Sequence, residues 1–435
     1  MSGNGKPGKI LVIGGGISGI TAAVEASAAG CEVVLVEKNP YLGGRVAQMN
    51  QYFPKLCPPN CGLEINFRQI RTSPRIRCLT LSQVEKIGGG PGRYQATIRR
   101  NPRGVNAKCT ACGACVEACP VERPDEYNCG MSSTKAIYLP FGTAYPLQYA
   151  IDESVCPGAR CGKCVEACPY GAIDLGMQPE TIEVEVRAVV FATGWDPYDA
   201  RGIEGLGFGT YPNVISNLMM ERLASADGPT AGKIVRPSDG GGIESIAFVQ
   251  CAGSRDENYQ KHCSGVCCMG SLKQSRYVRQ QYPDARIYIF YIDIRSPGRL
   301  EDFYAETQKD EKVRLIKGKV AKISEDAASR DLVVEAEDTL SGRRVHQKVD
   351  FVVLATGIVP TDAAVRIEAD GDLQRDEYGF LTGDQPLAGL FGAGCAKRPV
   401  DVATSVRDAT GTALKALQSC METGTALKAL QSCME

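Results

Sequence analysis

Eight cysteines fall in two runs that share one pattern. Residues 109–120, CTACGACVEACP, read C-x₂-C-x₂-C-x₃-C-P through Cys109, Cys112, Cys115 and Cys119. Residues 156–169, CPGARCGKCVEACP, repeat it through Cys156, Cys161, Cys164 and Cys168, with two more residues in the first spacer. Three thiolates at this spacing wrap one [4Fe–4S] cluster, and the fourth cysteine of each run serves the other cluster. The expected ligand sets are Cys109, Cys112, Cys115 and Cys168, and Cys156, Cys161, Cys164 and Cys119. Zinc also takes CxxC pairs, but duplicate runs with trailing prolines favour iron–sulfur. The longer spacer leaves Cys156 the least fixed ligand.

A third group has no regular spacing. Residues 250–274, QCAGSRDENYQKHCSGVCCMGSLKQ, hold Cys251, Cys263, Cys267 and Cys268 between the apolar runs IESIAFV and ARIYIFYI. The expected order is strand, loop, helix, strand. A nicotinamide-binding fold would place its glycine loop here, yet the strand ends in CAGSR and lacks G-x-G-x-x-G. Four thiolates in a C-x₁₁-C-x₃-C-C array could hold a further [4Fe–4S] cluster. They could equally be buried or redox-active thiols, a vicinal pair included. Spacing alone leaves both open.

These groups need a scaffold, and residues 9–38 begin one. KILVIG is a buried strand, Gly14, Gly16 and Gly19 give G-x-G-x-x-G, and SGITAAVEASAAG is a small-residue helix. EVVLVE is the next strand and ends in Glu37. The first glycine makes the tight turn, the second lets backbone approach a pyrophosphate, and the third lets the helix pack close. The helix N-terminus faces the anion, and Glu37 can accept from a ribose hydroxyl. The strand–loop–helix–strand context turns a weak motif into a dinucleotide site that also takes in Ser18 and Lys38.

Composition sets limits. The chain has 435 residues, enough for two or three domains, and twenty cysteines with a net charge of −1. That charge gives no basic footprint for nucleic acid. No run of 18 apolar residues suggests a membrane span, and the N-terminus shows no signal-peptide core. Twenty cysteines in such a chain point to metal or redox use rather than disulfides. His262 and His346 are the only histidines, so a histidine metal site is not expected. TGTALKALQSCME occurs at 410–422 and again at 423–435. The second copy reads as an artefactual duplication, and no function is placed on it.

Several segments resemble two-dinucleotide flavoproteins of the thioredoxin-reductase type. YLGGRV, with Gly43, Gly44 and Arg45, resembles a second FAD contact. VVFATGW, with Thr193 and Gly194, and VVLATGIVP, with Thr356 and Gly357, resemble the crossings between nucleotide domains. GLFGAGCAKRPVDVATSVRDATGTALKAL, with Gly392, Gly394 and Val402, resembles the closing FAD segment, although Cys395 stands where that family usually has Asp. The expected fold is α/β: a two-dinucleotide-binding flavoprotein with an inserted two-cluster ferredoxin module. FAD-binding parts are expected at 1–102, 179–240 and 356–422, the insert at 103–178, and a second nucleotide-domain-like fold at 241–355.

Over nearly the whole chain the sequence resembles the flavin-bearing subunit of heterodisulfide reductases. The matching parts are VEKNPYLGGRVAQMNQYFPKLCPPNCGLE, the insert, the 250–274 stretch and GCAKRPVDVATSV. The resemblance implies a non-standard [4Fe–4S] cluster on Cys251, Cys263, Cys267 and Cys268, and a place beside the flavin for Lys273. An exposed helix lysine is the other reading of that residue. The methanogen-type subunit is longer. The short form resembles the corresponding flavin subunit in the quinone-interacting membrane-bound oxidoreductase complex of sulfate reducers. This implies a cytoplasmic electron-transfer subunit that meets the membrane only through partners, linking menaquinone to adenylylsulfate reductase. A soluble heterodisulfide-reductase-like complex, with or without electron bifurcation, is one alternative, and an NAD(P)H-dependent flavo-iron–sulfur oxidoreductase is another. Cys57 and Cys61, in KLCPPNCGLE, could be a dithiol, cluster ligands or buried thiols, with a structural or cluster-adjacent role preferred. Cys31, Cys78, Cys129, Cys395 and Cys420 read as ordinary thiols.

Overall fold

A computed structural model describes residues 8–361, 365–368, 372–383, 385 and 387–434, with side chains in the last helix described through 421. The chain forms two compact units. The first comprises residues 1–47, 57–195 and 360–435, and the second 48–56 and 196–359.

The first unit is built on a five-stranded parallel sheet. Its order is Leu390–Gly392, Ala188–Phe191, Lys9–Ile13, Glu32–Val36 and Ile76–Leu79. Both faces are covered, so these strands read as unbroken apolar runs. Ile10, Leu11 and Val12 are fully buried. Helix Ile17–Ala28 packs against the long helix Val402–Met434. A smaller sheet carries the antiparallel strands Ser82–Gly90, Arg93–Arg100 and Glu180–Val186. The cysteine-rich insert occupies the chain between Arg100 and Glu180. Residues 423–434 of the second copy fall within the last helix; their side chains, and Glu435, lie outside the described residues.

The second unit has its own five-stranded parallel sheet: Val214–Ser216, Phe351–Thr356, Ser245–Ala252, Arg286–Tyr291 and Val313–Lys317. Three antiparallel strands, Val320–Glu325, Leu332–Asp338 and Arg343–Val349, stand beside it. Residues 196–240, expected with the FAD-binding part, belong to this unit. The reason is strand pairing: Val214–Ser216 runs parallel to Val352–Leu354 in its sheet. Among the described residues no helix is long and apolar enough to cross a membrane.

Candidate functional site: a glycine cradle and three cysteine groups

The glycine loop folds as its spacing requires. Gly14 has φ +107°, and a Cβ there would lie 2.2 Å from the Ala192 carbonyl oxygen. A Cβ on Gly19 would lie 1.8 Å from the Gly14 carbonyl oxygen, so only glycine lets the helix seat this close. Gly16 bridges to Gly43, whose N–H donates to the Gly15 carbonyl at 2.8 Å. Glu37 is buried; its carboxylate accepts from the Gly15 N–H at 2.6 Å and the Asn39 N–H at 2.8 Å. Burial raises its pKa, opposed by those bonds. Ser18 is buried, whereas Lys38 is exposed. Arg45 sits over the Trp195 ring and donates to the Trp195 carbonyl at 3.3 Å. Thr193 and Gly194 follow the Ala188–Phe191 strand.

The closing segment meets the same cradle. A Cβ on Gly394 would lie 2.0 Å from Ser18 Oγ, and Gly392 follows in the sheet beside Phe191. Helix Val402–Met434 starts after Asp401, whose side chain accepts from the Thr404 N–H at 2.7 Å, an N-cap. Cys395 is buried with its thiol toward the Val400 carbonyl at 3.4 Å. Asp408 escaped sequence reasoning. Its carboxylate accepts from the Gly394 N–H at 2.7 Å and pairs with Lys397 at 2.6 Å, fixing the turn from one helix turn away. A negative residue on an amphipathic helix gives no sequence sign of that job. Thr356 and Gly357 lie in the second unit, where Thr356 Oγ1 meets Asn217 Oδ1 at 3.3 Å. The glycine cradle and the buried acid fit the pyrophosphate and ribose of FAD.

The insert is a pair of similar halves. Gly113 and Gly162, both at positive φ, start the short helices Ala114–Ala118 and Lys163–Ala167, and Cys119 and Cys168 end them. One pocket is lined by Cys109, Cys112, Cys115 and Cys168. The other is lined by Cys119, Cys156, Cys161 and Cys164. The two added residues of the second run fold into a 3₁₀ turn, Gly158–Arg160, which leaves Cys156 on its cavity. Backbone N–H groups of Ala111 and Ala172 point at Cys109 and Cys168 Sγ, at 3.5 and 3.3 Å. Such N–H···S bonds favour thiolate. Among the described residues no three His, Cys, Asp or Glu side chains converge as one metal ion requires. Each pocket instead gathers four thiols, and a four-iron cube fits that donor set.

The insert is anchored to the sheet domain of its own unit. Tyr41, Tyr127 and Phe141 meet edge-to-face and stacked, with centroids 5.1–5.7 Å apart. The Tyr127 hydroxyl donates to the Ala47 carbonyl.

The third group forms at the carboxyl end of strand Ser245–Ala252. A register shift between Val249 and Ala252 accompanies a left-handed Cys251, φ +55°. Bulges of this sort re-aim a side chain. Cys267 and Cys268 open the helix Cys267–Gln281. Burial first, then the neighbouring Cys268, Cys251 and Cys263, push the Cys267 thiol up; burial, then Cys268 and Cys263, push Cys251 to about 11. The four thiols therefore lie within electrostatic reach of one another. The loop between strand and helix is pegged by side chains: Gln260 Nε2 donates to the Ile358 carbonyl at 2.7 Å, and Ser264 Oγ accepts from the Ile358 N–H at 2.7 Å. No glycine cradle forms there.

Lys273 is not the exposed helix lysine of the alternative reading. It is 5% exposed, pairs with Glu221 at 3.1 Å and donates to the Gln51 carbonyl. Glu221 also takes the Gln274 side chain at 2.7 Å and the Asn50 N–H at 3.1 Å. Cys57 is half-buried and Cys61 exposed at the start of helix Pro59–Thr72, and neither lines the two cavities of the insert. Cys31 and Cys420, read as ordinary thiols, are both buried in one core cluster of the first unit.

Comparison with known proteins agrees with this geometry. Residues 9–57 match the FAD dependent oxidoreductase family. Residues 105–122 and 159–174 each match the 4Fe-4S binding domain. The fold is similar to thioredoxin reductase of T. acidophilum, with TM-score 0.53, 12% identity, and 96% of this chain and all of that one covered. It is also similar to bacillithiol disulfide reductase of Bacillus cereus, with TM-score 0.51, 14% identity, and 95% and 98% covered. An iron–sulfur subunit of CoB–CoM heterodisulfide reductase from Methanopyrus kandleri is 41% identical over 419 residues, covering 94% of this chain and 64% of that protein. The corresponding iron–sulfur subunit from Methanocaldococcus jannaschii is 39% identical, covering 93% and 63%. Its counterpart in the H(2):CoB-CoM heterodisulfide,ferredoxin reductase of Methanothermobacter marburgensis is 37% identical, covering 94% and 63%. The chain thus spans less than two thirds of these curated relatives. It is a thioredoxin-reductase-like α/β chain that carries an FAD-dependent oxidoreductase segment and two 4Fe-4S motifs, with homologues among the iron–sulfur subunits of CoB–CoM heterodisulfide reductases.

Proposed function

We propose that the protein is an electron-transfer oxidoreductase subunit of a heterodisulfide-reductase-like complex, holding FAD, two ferredoxin-type [4Fe–4S] clusters and one further [4Fe–4S] cluster. The observation that carries this reading is the crossed sorting of eight cysteines around two cavities in the unit that bears the FAD cradle. Clusters carry single electrons and FAD one or two, so the bound groups would supply a one-to-two-electron converter. The chain's own contribution is position. Glu37 and the glycine turns hold the dinucleotide, and the aromatic anchor fixes the insert. Cys251, Cys263, Cys267 and Cys268 are assigned to the further cluster, supported by the mutual electrostatic influence of their thiols and by the left-handed bulge that re-aims Cys251. Lys273 is proposed to act near the flavin.

The proposed setting is a menaquinone-linked complex of dissimilatory sulfate reduction at the cytoplasmic face, with adenylylsulfate reductase as acceptor. Resemblance of its flavin and cysteine segments to the flavin subunit of quinone-interacting complexes supports it. A soluble heterodisulfide-reductase-like complex fits the homologues equally, and co-purified partners decide between the two. Anaerobic iron and flavin counting tests the core proposal. About twelve iron atoms and one FAD per chain are expected from three four-iron clusters, with no bleaching by NADH or NADPH. About eight iron atoms with fast NADPH bleaching would make it a pyridine-nucleotide enzyme.

A further inference from the structure

Among the described residues three arginines are almost completely buried, and two of them have an acid. Arg123 Nε lies 3.2 Å from Asp152, and Arg222 Nη2 lies 3.0 Å from Asp227. Arg103, 7% exposed, is bonded to neutral acceptors alone. Its Nη1 donates to the carbonyls of Gln148 and Tyr149 at 3.1 and 3.4 Å. Its Nη2 donates to the Pro40 carbonyl and Thr80 Oγ1, both at 2.7 Å. A buried guanidinium without an anion is strongly unfavourable. The titratable groups facing it are Arg100, Tyr138, Cys78 and Cys109. Burial keeps Tyr138 and Cys78 neutral, pushing the latter up to about 12. Arg103 itself is pulled down to about 10 by burial, so it remains a cation near neutrality.

Of the titratable groups facing Arg103, Cys109 belongs to a cysteine-lined cavity. Tyr149, whose carbonyl holds the guanidinium, lines the cavity of Cys109, Cys112, Cys115 and Cys168. We infer that Arg103 is the fixed counter-charge of the cluster in that cavity and sets its potential above that of the second ferredoxin-type cluster. This rests on the cluster assignment proposed above. A thiolate-ligated [4Fe–4S] cluster is an anion that becomes more negative on reduction, and its net charge and surroundings set its potential. A permanent cation beside it favours the reduced form. Beside the other cavity Arg160 and Lys163 are exposed, so water and salt screen their charges, and the buried Arg123 is paired with Asp152. Arg103 also ties Pro40 and Thr80, which follow two strands of the glycine-motif sheet, to Gln148 and Tyr149 of the insert. It thus also positions the insert on that sheet domain.

The experiment is an anaerobic redox titration by electron paramagnetic resonance on the full, cluster-loaded chain, with iron counted in each sample. Arg103→Gln should lower the midpoint of one cluster signal, cutting its reduced fraction at fixed potential at least tenfold. That is about 59 mV for one electron. Arg103→Lys should restore most of it. Identical midpoints in Arg103→Gln and the parent would overturn the inference. If Arg103→Gln loses its iron or does not fold, the parent chain decides. There the ferredoxin signal altered by Cys112→Ser must be the one of higher potential, and the reverse order refutes the proposal. A parent chain without ferredoxin-type clusters would fail the functional reading instead.

Discussion

Replacing Lys273 by methionine isolates the energetics of the buried pair. The ammonium and the Glu221 carboxylate are 3.1 Å apart, each side chain 7% exposed. At an effective dielectric of 20 the Coulomb attraction is about 5 kcal/mol. Leaving a buried partner uncompensated costs about 3–5 kcal/mol. Glu221 keeps bonds from Gln274, Asn50 and Tyr277 after the change. Those donors partly solvate the charge, so the expected loss lies near the lower limit, about 3 kcal/mol. Lys273→Met with Glu221→Gln removes both charges and keeps the acceptor. It should cost about 1 kcal/mol, which gives a coupling of about 2 kcal/mol or more in the cycle. Urea unfolding followed by circular dichroism measures each variant. A loss under about 1 kcal/mol for Lys273→Met, with no coupling, would refute the desolvated pair. Flavin midpoints on the same samples test the proposed place of Lys273: a shift in Lys273→Met without loss of folded protein supports it, and an unchanged midpoint removes it.

Gly19→Ala should expel flavin while leaving the insert's iron in place, because the methyl would collide with the Gly14 carbonyl; absorbance and iron assay of one sample check both. Cys268→Ser should lower iron by about four atoms per chain, the content of one cubane, and an unchanged count would return the third group to ordinary thiols. Tyr127→Phe should destabilise by about 1 kcal/mol through loss of its bond to the Ala47 carbonyl, read from thermal melting of the loaded protein.

Local rules made much of this legible. The glycine motif, the small-residue helix and Glu37 obey one steric requirement over a short stretch, so sequence predicts their geometry. The cysteine runs are legible because a cube needs three ligands close together. The crossing of Cys119 and Cys168 into opposite cavities also follows from the internal symmetry. Long-range partners were hidden. Glu221 lies 52 positions before Lys273 in the chain, and only packing of their helices makes them a pair. Asp408 and Arg103 look like ordinary surface charges until burial is known. Domain boundaries were misjudged at 196–240 because a three-residue strand, Val214–Ser216, carries almost no periodicity. Its sheet neighbour lies far along the chain.

The place where the insert leaves its host has a further meaning. Arg100 and Glu180 are cross-strand partners in the antiparallel sheet, so the insert departs and returns through the mouth of a hairpin. A hairpin's arms hold their register whatever its tip contains, and doubling a flexible loop adds only about 0.6 kcal/mol of closure entropy. An electron-carrying module could therefore be spliced into an ancestral flavoprotein without disturbing the sheet that received it. The same geometry makes the reverse operation practical: a short turn joining Arg100 to Glu180 would close the hairpin and leave a flavin domain stripped of its relay.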